Sequence, residues 1–86
     1  MKKQKYLRGL FGAELIRQRK AVGLSAAELA ETIGVSINTV YRWENKRSLP
    51  NPRAWSALVE WSKVNNLDYD ALSRAYTYCS IDIVED

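Results

Sequence analysis

The stretch Leu24–Asn45, LSAAELAETIGVSINTVYRWEN, limits what this chain can fold into more than any other. Ser25 is a favoured N-cap residue and Glu28 stands three positions later. That is the capping-box pattern, in which hydroxyl and carboxylate each accept an orphan backbone N–H. Leu29, Ala30 and Ile33 then share one helical face. Gly34 ends the helix, because the position calls for a positive φ that only glycine takes freely. Ser36 caps a second helix, residues 37–45, with Val40 and Trp43 three apart on its inner side. Two short helices joined by a tight turn cannot bury their own apolar face, so the rest of the chain must supply a scaffold. The outer side of the second helix carries Ile37, Asn38, Tyr41 and Arg42, a set that suits either an ordinary wet surface or a base-reading one.

Eighty-six residues allow one domain, marginal enough at this size that a dimer would help. With 47% hydrophobic and 27% charged residues the chain is globular. No apolar run approaches the ~20 residues of a bilayer helix. The start, MKKQKYLRGLFG, lacks the apolar core and small-residue cleavage site of a signal peptide, so a cytoplasmic, nucleoid-associated protein is expected. The single cysteine, Cys79, provides neither a disulfide framework nor a metal site. The lack of histidine removes the commonest general base and metal ligand, and Cys79 has no histidine partner for nucleophilic catalysis. Capping and solvation account for Asp68 and Asp70, and there is no glycine-rich phosphate loop. Enzymatic activity, a cofactor and a metal are therefore not expected.

The net charge of +3 hides a gradient. Residues 1–20 carry seven Lys/Arg against Glu14 alone, whereas residues 54–86 carry two against six acids. A basic head points to a polyanion partner at one end, with plain solvated charge as the alternative. Residues 1–9, MKKQKYLRG, read as a flexible basic arm. Lys2, Lys3, Lys5 and Arg8 show no amphipathic period, and such an arm either follows phosphates or is a frayed terminus. The first helix is expected over residues 10–22. It has Phe11, Leu15 and Val22 on one face, joined by Leu10, with Arg17, Arg19 and Lys20 in the last turns and Gly23 as the C′ residue. KRSLPNP is a loop, in which Asn51 and Pro52 start a fourth helix running to Val64. The apolar arc of that helix is wider than one small core needs, which makes Trp61 the candidate for an exposed or intersubunit aromatic. Asn65-Asn66 breaks the helix and Asp68 caps a fifth, with Leu72, Ala75, Tyr76 and Cys79 on one face. In the acidic tail, residues 80–86, Ile81 and Ile83 alternate as a strand would; a strand would need a partner across a dimer, and a frayed tail is the other reading.

Ala30, Gly34, Val40 and Trp43 stand at successive spacings of four, six and three, with Leu29, Ile33 and Val35 beside them. RQRKAVGLS precedes this register, YRWEN closes it and a proline-bearing loop follows. Over residues 10–72 it resembles the helix-turn-helix of lambdoid phage repressors, Cro and XRE-type regulators. The resemblance implies an all-α, five-helix lambda-repressor-like domain over residues 10–79, with the helix-turn-helix at helices two and three. It implies a sequence-specific double-stranded DNA-binding regulator, a repressor of phage, plasmid or bacterial operon type, acting as a homodimer on a pseudo-palindromic operator. Carried over residue by residue, Ile37, Asn38, Tyr41 and Arg42 would read bases. Ser36, Asn45, Lys46 and Arg47 would hold phosphates, with Arg17 and Arg53 as weaker candidates, and Arg19 and Glu44 would form a structural salt bridge. The alternative function is an antitoxin-like or adaptor protein that binds a partner protein through Trp61 or the C-terminal tail. Three departures from the family pattern stand out. Ala26 replaces a frequent phosphate-contacting glutamine. Lys46 replaces a glycine, which would leave Asn45 in a left-handed turn or Lys46 strained. Gln18 replaces a frequent apolar residue, so its exposure is expected.

Overall fold

The computed structural model describes the backbone of residues 3–45 and 48–85 and the side chains of residues 9–45 and 48–80. It contains five helices, α1 (Lys3–Ala21), α2 (Ala26–Ile33), α3 (Ile37–Glu44), α4 (Pro52–Val64) and α5 (Tyr69–Glu85), and no strand among the described residues. The junctions follow from local chemistry. Ser25 Oγ accepts the Glu28 N–H at 3.1 Å, and the Glu28 carboxylate accepts the Ser25 N–H at 2.8 Å, so α2 opens on a complete capping box. Gly34 at φ 88° ends α2, and the N–H groups of Gly34 and Val35 both donate to the Ala30 carbonyl. Asn51 Oδ1 accepts the Ala54 N–H at 2.9 Å, with Pro52 as the first residue of α4. Asn66 takes the left-handed conformation beyond the end of α4, and the Leu67 N–H returns to the Ser62 carbonyl at 2.9 Å. Asp68 Oδ1 accepts the Ala71 N–H at 3.0 Å and opens α5.

α1 and α5 run antiparallel side by side. Phe11 meets Tyr76 edge-on with ring centroids 5.8 Å apart, while two turns further along α1 Gln18 reaches the Asp68 carbonyl. α3 packs on α2 and α1, and α4 closes over α2 and α5. Phe11, Leu15, Leu29, Val40, Leu58 and Leu72 are fully buried at the centre. Each such side chain is worth about 1.5–3 kcal/mol in transfer free energy. Trp55 stacks on Tyr76 at 4.1 Å, with Phe11 edge-on to both, so one aromatic cluster joins α1, α4 and α5.

Five expectations are corrected here. α1 begins at Lys3 and α5 runs to Glu85. Residues 3–9, expected as an arm, and residues 80–85, expected as a strand or frayed tail, are therefore helical continuations. The two helices pack against each other, a support no local period reveals. Trp61 is only 5% exposed, which removes it as an exposed or intersubunit aromatic; the apolar arc of α4 packs against α2 and α5, and Val64 at its end stays exposed. Gln18 is buried at 1% exposure, because both its amide nitrogen and its amide oxygen find partners. Its Nε2 donates to the Asp68 carbonyl and to Glu14, both at 2.8 Å, and its Oε1 accepts from the buried Ser62 hydroxyl at 3.0 Å. Leu10, finally, does not join the core face and is 45% exposed.

Candidate nucleic-acid interface

An α-helix advances about 100° per residue. On α3 that periodicity sends Val40 and Trp43 inward, where they are 0% and 3% exposed. Ile37, Asn38, Tyr41 and Arg42 then share an outer arc of about 140°, and all four are exposed. An aliphatic and an aromatic residue in water on one face, beside polar ends, is the composition of a contact surface. Among the described residues neither Asn38 nor Arg42 has a hydrogen-bonding or charged side-chain partner. Their recognition groups are therefore unspent.

The two ends of α3 are held differently. At the amino end Ser36 Oγ accepts the Thr39 N–H at 3.2 Å and shares a 2.9 Å hydrogen bond with the Thr39 hydroxyl. The Ser36 hydroxyl is thus occupied by capping, and the donors that remain at that end are first-turn backbone N–H groups. At the carboxyl end Arg19 grips Glu44 with two parallel bonds, Nε to Oε2 at 2.7 Å and Nη2 to Oε1 at 3.2 Å, while Nη1 donates to the Leu24 carbonyl at 3.2 Å. The two side chains are 14% and 7% exposed, so the pair is largely shielded. The hydrogen bond to Glu44 is the main cause that raises the Arg19 pKa above the usual arginine value. Asn45 closes α3 at φ −96°, so it does not take the left-handed turn that the replaced glycine allowed for. Lys46 and Arg47 lie outside the described residues.

Beside α3, a cleft of about 460 Å³ opens between the α2–α3 turn and the amino end of α4. Arg42 and Arg53 both line it, together with Ser48 and Asn51 on its polar side and Ile33 and Leu49 on its apolar side. The loop that contributes Leu49 and Asn51 to it is tied to α5, where Tyr76 Oη donates to the Pro50 carbonyl at 2.8 Å. Burial raises the Tyr76 pKa. The structure therefore brings Arg53 next to the α3 face.

It does not bring Arg17 there. Arg17 sits about 140° around α1 from Gly12, the residue that faces α3. There it pairs with Glu14, Nε to Oε1 at 3.1 Å, near Asp68, and the Glu14 hydrogen bond is the first cause that raises its pKa. Ala26 is 6% exposed and packs into the core. Sequence reasoning passed over Gly12 altogether. Its only signal is a glycine in the interior of an expected helix, two turns before Arg19.

Two capped helices at a glycine turn, with the second presenting an unspent outer face, define a helix-turn-helix DNA-binding domain. The helix-turn-helix family model matches residues 15–60, more than half of the chain, and the chain belongs to the XRE and lambda-repressor type of that family. No curated protein and no solved structure matches the chain. Family membership makes it a DNA-binding regulator that engages double-stranded DNA. Among the described residues, no helix is long and apolar enough to cross a membrane, and no group of His, Cys, Asp and Glu side chains could hold a metal ion.

Proposed function

We propose that this protein is a sequence-specific transcriptional repressor that reads its operator with the outer face of α3 and blocks promoter access. The observation that carries the reading is the split of α3. Val40 and Trp43 are buried, while Ile37, Asn38, Tyr41 and Arg42 stand exposed together, with Asn38 and Arg42 unpartnered among the described residues. Asn38 suits the N6/N7 edge of adenine, and Arg42 forks onto guanine O6/N7. Ile37 covers a thymine methyl, and Tyr41 reaches a base or a phosphate. Phosphates are held by the Ser36 end of α3, by Asn45, and by Arg53 with Lys46 and Arg47. Two copies related by a two-fold axis would place their α3 helices about 34 Å apart, one duplex turn, on a pseudo-palindrome.

Selection of bound sites from random DNA, followed by sequencing, tests this directly. A symmetric site with two half-sites one turn apart is the expected outcome. A featureless pool, or no duplex binding at low salt, sinks the proposal. Within the selected site, Arg42→Ala should cost about 1–3 kcal/mol and relax preference at one base pair. An unchanged site logo for that variant would remove Arg42 from the readers.

A further inference from the structure

α1 approaches the carboxyl end of α3 at a single point without a side chain. Gly12 is buried, and a Cβ built on it would lie 2.8 Å from the Glu44 carbonyl oxygen and 3.0 Å from that of Trp43. Both neighbours are backbone, so neither can rotate away, and a methyl group at Gly12 would force α3 to shift relative to α1. Gly12 and Arg19 are seven residues apart, two turns along α1, and so occupy the same stripe of that helix. From that stripe Arg19 holds the Glu44 side chain through its two parallel hydrogen bonds. One residue of α3 is thus fixed twice by α1: its carbonyl against Gly12 and its carboxylate by Arg19. These contacts set how far, and at what tilt, the reading helix projects from the body. The close approach also brings the Gly12 Cα–H against the last carbonyls of α3.

We propose that Gly12 is a specificity-determining position of the DNA-binding head. It touches no base. It acts through α3, by letting the carboxyl end of that helix seat at the depth where its outer residues meet base edges together. Phosphate contacts tolerate a small displacement of α3, because they depend on charge and adjustable side chains. Bidentate base contacts do not, because their geometry is narrow. A displaced α3 therefore loses sequence preference before it loses affinity for DNA as such. The inference rests on the reading of α3 as the base-contacting helix.

The sign of the stability change separates a local effect from the seating effect. An alanine in an α-helix interior is ordinarily more favourable than glycine, so a helix-propensity effect alone would make Gly12→Ala more stable. Seating against the Glu44 and Trp43 carbonyls predicts the reverse. The test takes the full chain and the site that wild-type protein selects from random DNA. It measures affinity for that site and for a scrambled duplex by fluorescence anisotropy, with amide chemical shifts as the structural readout. In Gly12→Ala, shifts should concentrate at Trp43, Glu44 and Asn45. Affinity for the selected site should fall about tenfold, against less than about twofold for scrambled duplex. Arg19→Lys keeps the charge and loses the two-pronged grip, so it loosens the same end of α3 without adding volume. It should lower the same ratio, and it decides the matter if Gly12→Ala does not fold. An unchanged specific-to-scrambled ratio in both variants, or a fall in both affinities that tracks the unfolded fraction, overturns the role. If the wild-type protein selects no site, the reading of α3 fails and this inference falls with it.

Discussion

The helix-turn-helix unit, α2 with α3, and the body that carries it, α1 with α4 and α5, are held together by different interactions. Inside the unit the determinants are short-ranged: the Ser25–Glu28 capping box, the left-handed Gly34, the Ser36 cap and an inner apolar pair. The body depends on groups far apart in sequence. Gln18 joins α1 to Ser62 and to the Asp68 carbonyl, and Tyr76 joins α5 to the Pro50 carbonyl, to Trp55 and to Phe11. The unit therefore specifies its own shape, and the body specifies where that shape is presented. Damage to the unit should affect DNA reading and stability together, whereas damage to the body away from the Gly12–Arg19 stripe that seats α3 should affect stability first.

The largest effect is expected inside the unit. Trp43→Ala removes the aromatic that anchors α3 to the core and should cost about 3–5 kcal/mol. Urea unfolding would show it as a lower midpoint, accompanied by lost duplex binding. In the body, Gln18→Leu keeps the volume but orphans the buried Ser62 hydroxyl and removes one of the two hydrogen bonds to the Asp68 carbonyl, leaving it the Leu72 N–H. A loss of about 1–3 kcal/mol is expected, with the selected DNA site unchanged at equal folded fraction. A changed site would erase the distinction between unit and body.

Tyr76→Phe should cost less, about 0.5–1.5 kcal/mol, for the single hydrogen bond to the Pro50 carbonyl. This residue also carries a pH signature. Burial raises its folded-state pKa above the unfolded value, so its stabilising contribution is complete below the unfolded pKa and is lost as pH rises through the folded one. Wild-type protein should thus lose stability on the alkaline side above about pH 10, and the phenylalanine variant should lose less over the same range. Equal alkaline slopes in denaturant titrations would assign that loss to other groups. The smallest effect belongs to Arg17→Ala, since exposed i,i+3 pairs are worth about 0.2–0.5 kcal/mol. Duplex affinity should be unchanged. A clear drop would return this part of α1 to the interface and blur the boundary between body and reading unit.

Much of the fold was legible in the sequence, for reasons visible at particular residues. Capping by Ser25, Ser36, Asn51 and Asp68 acts over three residues, so the starts of α2, α3, α4 and α5 could be placed from neighbours alone, while α1, which has no such capping residue before it in the sequence, was started too late. Gly23 and Gly34 mark turns by their own conformation. The inner and outer faces of α3 followed from helical period. Trp61 and Gln18 were read with the wrong exposure, because periodicity says which residues share a face but not how many neighbours cover it. Gln18 has an amide, and only the positions of Ser62 and Asp68, 44 and 50 residues away, make its burial tolerable. Arg17 and Arg19 look alike in the string RQRK. Their places on the helix circumference send one to Glu14 on its own helix and the other across to Glu44.

By itself, then, the sequence determined the helix-turn-helix: its caps, its turn and the composition of the face it presents. All of these are set by interactions within a turn or two of the chain, where the amino-acid order is the geometry. Only the tertiary structure decided how that face is mounted. The burial of Trp61, the partners of Gln18, the pairing of α1 with α5 and the seating of α3 on Gly12 all depend on backbone and side chains brought together from distant parts of the chain. A bare glycine acquires meaning only when a neighbouring carbonyl stands within contact distance of the methyl group it lacks.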